Sequence, residues 1–158
     1  MTDILFQWSS EYSVGVEEID EQHKELVRLL NALHQAIHER HGSEVSRRIL
    51  NELVAYTQVH FAVEESLMRI SGYPDFANHK KIHTSLIEQV HELQIKLDEG
   101  AAKISFELLH FLKHWLMHHI LETDKQFGQH FAGTGMSTAW SPAVKASMAD
   151  QRAWWRVW

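Results

Sequence analysis

The chain has 158 residues, enough for one domain with a sizeable core, and its 44% hydrophobic and 23% charged residues are ordinary for a folded globular protein. A net charge of -6 without a basic block argues against duplex nucleic acid as a partner. The absence of cysteine excludes disulfides, thiolate zinc sites, iron–sulfur clusters and a cysteine nucleophile, and leaves thirteen histidines as the compositional outlier.

Residues 1–18 carry Trp8, Tyr12 and Val14-Gly15-Val16 with little periodicity, and read as an ordered arm packed across a helical body. Glu17, Glu18, Asp20 and Glu21 then place negative charge where a helix begins, which favours its dipole. Ile19, His23, Leu26, Val27, Leu30, Leu33 and Ile37 follow a helical stripe, predicting a first helix over about 19–41 that stops at Gly42. Ser43 can cap a second helix, with Leu50, Leu53, Tyr56, Thr57, His60, Glu64 and Met68 on its inner face. Ser71-Gly72-Tyr73-Pro74 ends it, because glycine permits a left-handed residue and proline cannot continue the ladder. Asp75 can cap a third helix, with His79, Ile82, His83, Leu86, Val90 and Leu97 inward and Gly100 closing it. The fourth spans about 102–130, with Leu108, Leu112, Trp115, Leu116, His119 and Ile120 as its stripe. Four amphipathic helices joined by short turns predict an all-α, up-down-up-down antiparallel four-helix bundle over residues 1–131, followed by an extension over 132–158.

Two pairs, His60 with Glu64 and His79 with His83, are spaced four residues apart, so each lies on one helix face, a turn apart. Counting from the turns at about 1.5 Å per residue, antiparallel packing brings His23, His60, Glu64, His79, His83 and His119 to one layer. Asp124 follows His119 by five residues, about 140° around an ideal helix. It joins the layer if its carboxylate reaches sideways or the helix is distorted there, a π-bulge being one way.

Five imidazoles and two carboxylates are too many for one ion and suit two. Imidazole and carboxylate without sulfur favour iron, with manganese, zinc and copper possible. Glu64 and Asp124 are the natural bridges, with an oxo or hydroxo group from water as a third. An ion holding three histidines is then closed, and one holding two keeps an open position for a diatomic ligand. Leu26, Phe61, Trp115, Leu116 and Ile120 supply an apolar wall that would exclude water and protons. No candidate acid or base emerges beside them, so an enzyme is not expected and no residue is assigned a catalytic role.

This set resembles the hemerythrin family, in particular its single-domain bacterial members, the bacteriohemerythrins. The matching stretches are Val14-Gly15-Val16 with Ile19-Asp20-Glu21-Gln22-His23; His60-Phe61 with Glu64-Glu65 and Met68; Gly72-Tyr73-Pro74 before His79 and His83; and Trp115-Leu116 leading to His119-Ile120 and Asp124. They cover about residues 8–131. The resemblance implies two irons: His79, His83 and His119 on one, His23 and His60 on the open one, Glu64 and Asp124 bridging. It thereby implies that Asp124 is a ligand, which spacing alone leaves open. It further implies dioxygen as the partner, bound end-on at the open iron for carriage, storage or delivery. An oxygen or redox sensor is the alternative, as is a di-iron oxidase or peroxidase, although ferritin-like oxidases use more carboxylates.

The extension departs from the family pattern. It carries Trp140, Trp154, Trp155 and Trp158, and Ser141-Pro142 can start a short helix bearing Lys145, Arg152 and Arg156. It is expected to pack on the bundle, with docking to a protein or membrane surface as the alternative. His34, His38, His41, His91 and His130 are expected at the surface, as are His110, His114 and His118, which form a stripe of their own. Tyr56 and Thr57 are expected to pack, with hydrogen-bond support of the site a lesser role. No apolar run approaches the ~20 residues of a membrane span, and no basic-then-apolar leader opens the sequence. A cytoplasmic monomer is the expectation.

Overall fold

The computed structural model describes residues 4–39 and 42–136. The expectations for His41 and for the tryptophan-rich stretch from Trp140 onward lie outside the described residues. Among the described residues, five α-helices carry the fold: α1 (Glu17–His38), α2 (Ser43–Ser71), α3 (Phe76–Asp98), α4 (Phe106–His118) and α5 (Lys125–Gly133). Between α4 and α5 runs a π-helical turn, His119–Asp124, so these three pieces form the fourth rod of a four-helix bundle. α1 packs along α2 and against α4, and α2 also packs on α3. Fully buried Ile19, Leu30, Leu33, Leu50, Met68, Leu109 and Phe127 form the core between them.

The helix ends explain where the chain turns. Val16 has no capping side chain, so Asp20 reaches back to accept from the Val14 N–H (2.8 Å) and the Ser13 hydroxyl. α1 ends at His38, short of the expected boundary near 41. Gly42, expected to close α1, instead stands at the N-cap of α2 with φ +88°, and Ser43, expected as the cap, is already helical. Gly72 (φ +66°) closes α2 as expected, with Tyr73 N–H donating to Met68 C=O at 2.9 Å. α4 begins at Phe106, later than the expected 102. After Gly100, Ala101 N–H is committed to Lys96 C=O at 2.8 Å, and Ser105 is where the next helix finds a cap, its hydroxyl accepting from Leu108 N–H at 3.3 Å.

The N-terminal arm crosses the bundle as expected. Leu5, Phe6, Val14 and Val16 are buried, and Asn31 of α1 holds the Phe6 backbone through both its amide groups at 2.8 and 2.9 Å. Gly128 of α5 makes room for the arm: a Cβ there would stand 2.0 Å from the Val14 carbonyl oxygen. Among the described residues no helix is long and apolar enough to cross a membrane.

Candidate metal centre

The buried histidines and carboxylates of the described residues are His23, His60, Glu64, His79, His83, His119 and Asp124, and all seven meet in one place. α1 contributes His23, α2 His60 and Glu64, α3 His79 and His83, and the π-helical turn both His119 and Asp124. The π turn answers the geometric question about Asp124. Its wider winding needs about one more residue per turn, so positions five apart face the same way. His119 and Asp124 therefore point inward together, their Nε2 and Oδ1 atoms 2.9 Å apart.

The ligand atoms form two groups around the carboxylates. On one side the Nε2 atoms of His79, His83 and His119 converge, with 3.1 Å from His79 to His83 and 3.1 Å from His83 to His119. Asp124 Oδ1 lies 3.1 Å from His79, and Glu64 Oε2 lies 3.3 Å from His83. On the other side Asp124 turns its Oδ2 to His23 Nε2 at 3.0 Å, and Glu64 Oε2 lies 3.8 Å from His60 Nε2. Metal–ligand bonds of about 2.1 Å at right angles would separate neighbouring ligand atoms by about 3.0 Å. The spacing is thus that of donors arranged about ions. Both oxygens of Glu64, both of Asp124 and Nε2 of His23 are buried without a hydrogen bond. Such groups cost several kcal/mol each, on the order of magnitude expected for desolvated ions, unless something pairs them. A pair of cations satisfies the whole set.

Charge follows from the same crowding. Burial opposes ionisation of Asp124, but His119, His23 and His79 around it hold its carboxyl well below the usual range. Burial and the Asp124 charge oppose ionisation of Glu64, yet the imidazoles of His79 and His83 beside it bring it down to about 2. Burial works against protonated His79, but Asp124 and Glu64 outweigh it and raise the imidazole to about 9. His23 is raised by Asp124 in the same way against its burial. His60, farther from a carboxylate, is pushed down to about 3 by burial, which the Glu64 charge offsets only in part.

The rings are held from behind. His60 Nδ1–H donates to buried Gln22 Oε1 at 2.7 Å, which leaves Nε2 as the free lone pair. His83 Nδ1–H donates to Glu65 Oε1 at 3.2 Å, and its ring stacks on Phe61 at 3.6 Å, nearly parallel. Trp115 stacks on His119 at 4.5 Å. Gln22 and Glu65 have no sequence-level assignment as supports. Their signal is adjacency: each lies beside a ligand, and only the fold places each next to a ligand on another helix.

A model of the hemerythrin HHE cation-binding domain matches residues 14–131. The chain belongs to the hemerythrin family. Bacteriohemerythrin of Stenotrophomonas maltophilia is 37% identical over 123 residues, 78% of this chain and 79% of that one. Bacteriohemerythrin of Methylococcus capsulatus is 34% identical over 125 residues, 78% of this chain and 95% of the relative. A crystal structure of wild-type hemerythrin superposes with a TM-score of 0.77 at 32% identity, covering 81% of this chain and 98% of that chain. The hemerythrin bundle is therefore the frame in which the buried cluster sits.

A cavity of about 40 Å³ opens beside this hemerythrin-type cluster, next to His23, His60 and His119. Of the expected apolar wall, Leu26, Phe61, Trp115 and Leu116 line it, and Ile120 does not. Ile120 is fully buried in the core, but it follows His119 directly and so faces another way. Leu30, Leu53, Leu86 and Leu112 complete the wall, together with Thr57. The Thr57 hydroxyl donates to Leu53 C=O at 2.7 Å. His130 Nε2–H donates to Ser71 C=O at 3.0 Å, and His91 meets Gln58, so both are paired away from the centre. Two Glu-x-x-His steps, Glu88 to His91 and Glu107 to His110, also lie outside it, with all four residues exposed.

Proposed function

We propose that the seven buried side chains hold two iron ions, and that the chain binds dioxygen reversibly for carriage, storage or delivery. The observation that carries this reading is Asp124: one carboxylate oxygen faces His79 and His119, and the other faces His23. Two ions side by side would use both oxygens of that one group. His79, His83 and His119 hold one ion, His23 and His60 the other, and Glu64 and Asp124 bridge. When bound, iron supplies the electrons and the open coordination position that dioxygen uptake requires.

The residues supply the rest. His23 and His60 leave their side under-filled, and the cavity lies beside them. Its volume of about 40 Å³ suits a diatomic molecule. Leucines and aromatic rings around it exclude water, so a proton has no carrier to the bound ligand. Gln22 and Glu65 fix the tautomers of His60 and His83, so that Nε2 of each points at the centre. Among the described residues, no histidine or carboxylate outside the ligand set lines the cavity to deliver a proton for oxygen–oxygen cleavage. That favours carriage over an oxidase.

The test is optical. Reduced, iron-loaded protein should gain a ligand-to-iron charge-transfer band in air and lose it under argon, over repeated cycles. Permanent oxidation on first exposure, or steady consumption of a reductant, defeats the carrier reading.

A further inference from the structure

Near the start of α2 the bundle holds a larger cavity, about 570 Å³, a size common among small-molecule sites. Ile37, Leu97 and Ile104 form an apolar wall, and Ser46, Arg47 and Lys103 stand on its polar side. Among the described residues no carboxylate lines it. Ser46 is only 5% exposed, yet among the described residues its hydroxyl meets no hydrogen-bond partner. The last carbonyls of α3 are already taken. Leu97 C=O accepts from Gly100 N–H and from Arg47, and Lys96 C=O accepts from Ala101 and Ala102. No side chain caps α2, so the N–H groups of its first turn remain as donors. The polar side of the cavity therefore offers donors and positive charge.

We propose that this cavity binds a small aliphatic carboxylate, with its charge toward Ser46 and Lys103 and its chain along Ile37, Leu97 and Ile104. A buried hydroxyl without a partner costs stability unless a ligand supplies one. A carboxylate accepts hydrogen bonds from hydroxyl, ammonium and helix N–H groups alike. The cations set the ligand's charge. Arg47 is largely committed, donating to Leu97 C=O at 2.8 Å with Asp98 3.7 Å away. Lys103 is exposed and has no ion-pair partner among the described residues, so one negative charge is matched. The first turn of α2 adds a dipole that also favours an anion. The apolar wall selects a carbon chain over a hydrated inorganic ion. Ser46 precedes His60 by fourteen residues, about 21 Å of helix, so the site stands apart from the buried centre.

Hexanoate is the probe, measured by equilibrium dialysis against iron-loaded protein, with iron absorption recorded on the same samples. One hexanoate should bind per chain. It should bind about tenfold or more tighter than acetate, which lacks the chain, and than hexan-1-ol, which lacks the charge. Iron absorption should not change. Ser46→Ala should weaken hexanoate by about tenfold, and Lys103→Gln by about threefold. Both should leave the weak uptake of hexan-1-ol as it was, a split that mere loosening of the fold would not give. The assignment fails if hexanoate is not retained, if acetate or hexan-1-ol binds as tightly, or if both variants hold hexanoate as wild type does. It also fails if iron absorption shifts in step with uptake, which would place the carboxylate on the metals instead.

Discussion

The two sides of the buried cluster are built on different physical terms. Around His79, His83 and His119 the rings are clamped, with Phe61 flat on His83 and Trp115 on His119, and a charged acceptor, Glu65, holds His83 from behind. His23 and His60 meet edge to face at 4.7 Å, a neutral amide, Gln22, supports His60, and a cavity opens next to both. Both histidines of this side line the cavity, whereas of the other three only His119 does. In a single small core, packing alone can make one metal position closed and its neighbour receptive.

The strongest way to break this contrast is to remove the group common to both sides. Asp124→Ala should reduce iron from about two per chain to near none, whereas His23→Ala should leave about one, measured by metal analysis after loading. If His23→Ala empties both positions, the sides are not separable. Next, Phe61→Ala strips the ring from His83 and enlarges the cavity. It should cost about 3–5 kcal/mol in denaturant unfolding and speed loss of the oxygenated form. Unchanged stability would mean that Phe61 fills no essential space.

The supports should act on one side each. Gln22→Leu should weaken the ion at His23 and His60, and Glu65→Gln the ion at His79, His83 and His119, each by about 10–100-fold in stepwise metal titrations. Equal weakening of both ions by either variant would dissolve the distinction. The smallest effect is a pH slope in the metal-free chain. His79, raised from 6.5 to about 9, adds stability that is full below pH 6.5 and is lost as pH rises toward 9. His60, lowered from 6.5 to about 3, takes stability away as pH falls below 6.5, since the unfolded chain binds a proton that the folded one refuses. Glu64, lowered from 4.5 to about 2, adds a further loss as pH falls below 4.5. Metal-free protein should therefore be most stable near pH 6.5, declining by about 1.4 kcal/mol per pH unit for each proton of difference. Chemical denaturation across pH 4–9 reads this. A maximum at pH 8 or above would overturn the charge assignment for His79.

Most of the centre was legible in the residues because helical spacing is a strong constraint. His60 with Glu64 and His79 with His83 need nothing beyond the α-helical period, and the turns at Gly72 and Gly100 set their heights. From spacing alone Asp124 was only a question, because an ideal helix points it away from His119 and no local residue pattern announces a π turn; the family resemblance, not the helical period, implied it as a ligand. Ile120 was misplaced for a related reason: nearness in sequence to His119 is not nearness to the cavity. The start of α4 was read too early because Ala101, Ala102 and Lys103 suit a helix, whereas the backbone bond from Ala101 to Lys96 commits them elsewhere. The space Gly128 leaves for Val14 is a long-range contact that no local pattern contains.

That contact has a consequence for synthesis. The arm is made before α1, yet α5, whose Gly128 leaves room for Val14, emerges only after α1 to α4. The last two of the buried donors, His119 and Asp124, emerge just ahead of it. A ribosome-bound chain that has made α1 to α3 can pair Phe6 with Asn31, but it can neither seat Val14 on Gly128 nor complete the cluster. Closing so long a loop comes late because its entropy must be met before its contacts exist. Seating of Val14 against Gly128 and completion of the cluster therefore belong to the same final stage of folding.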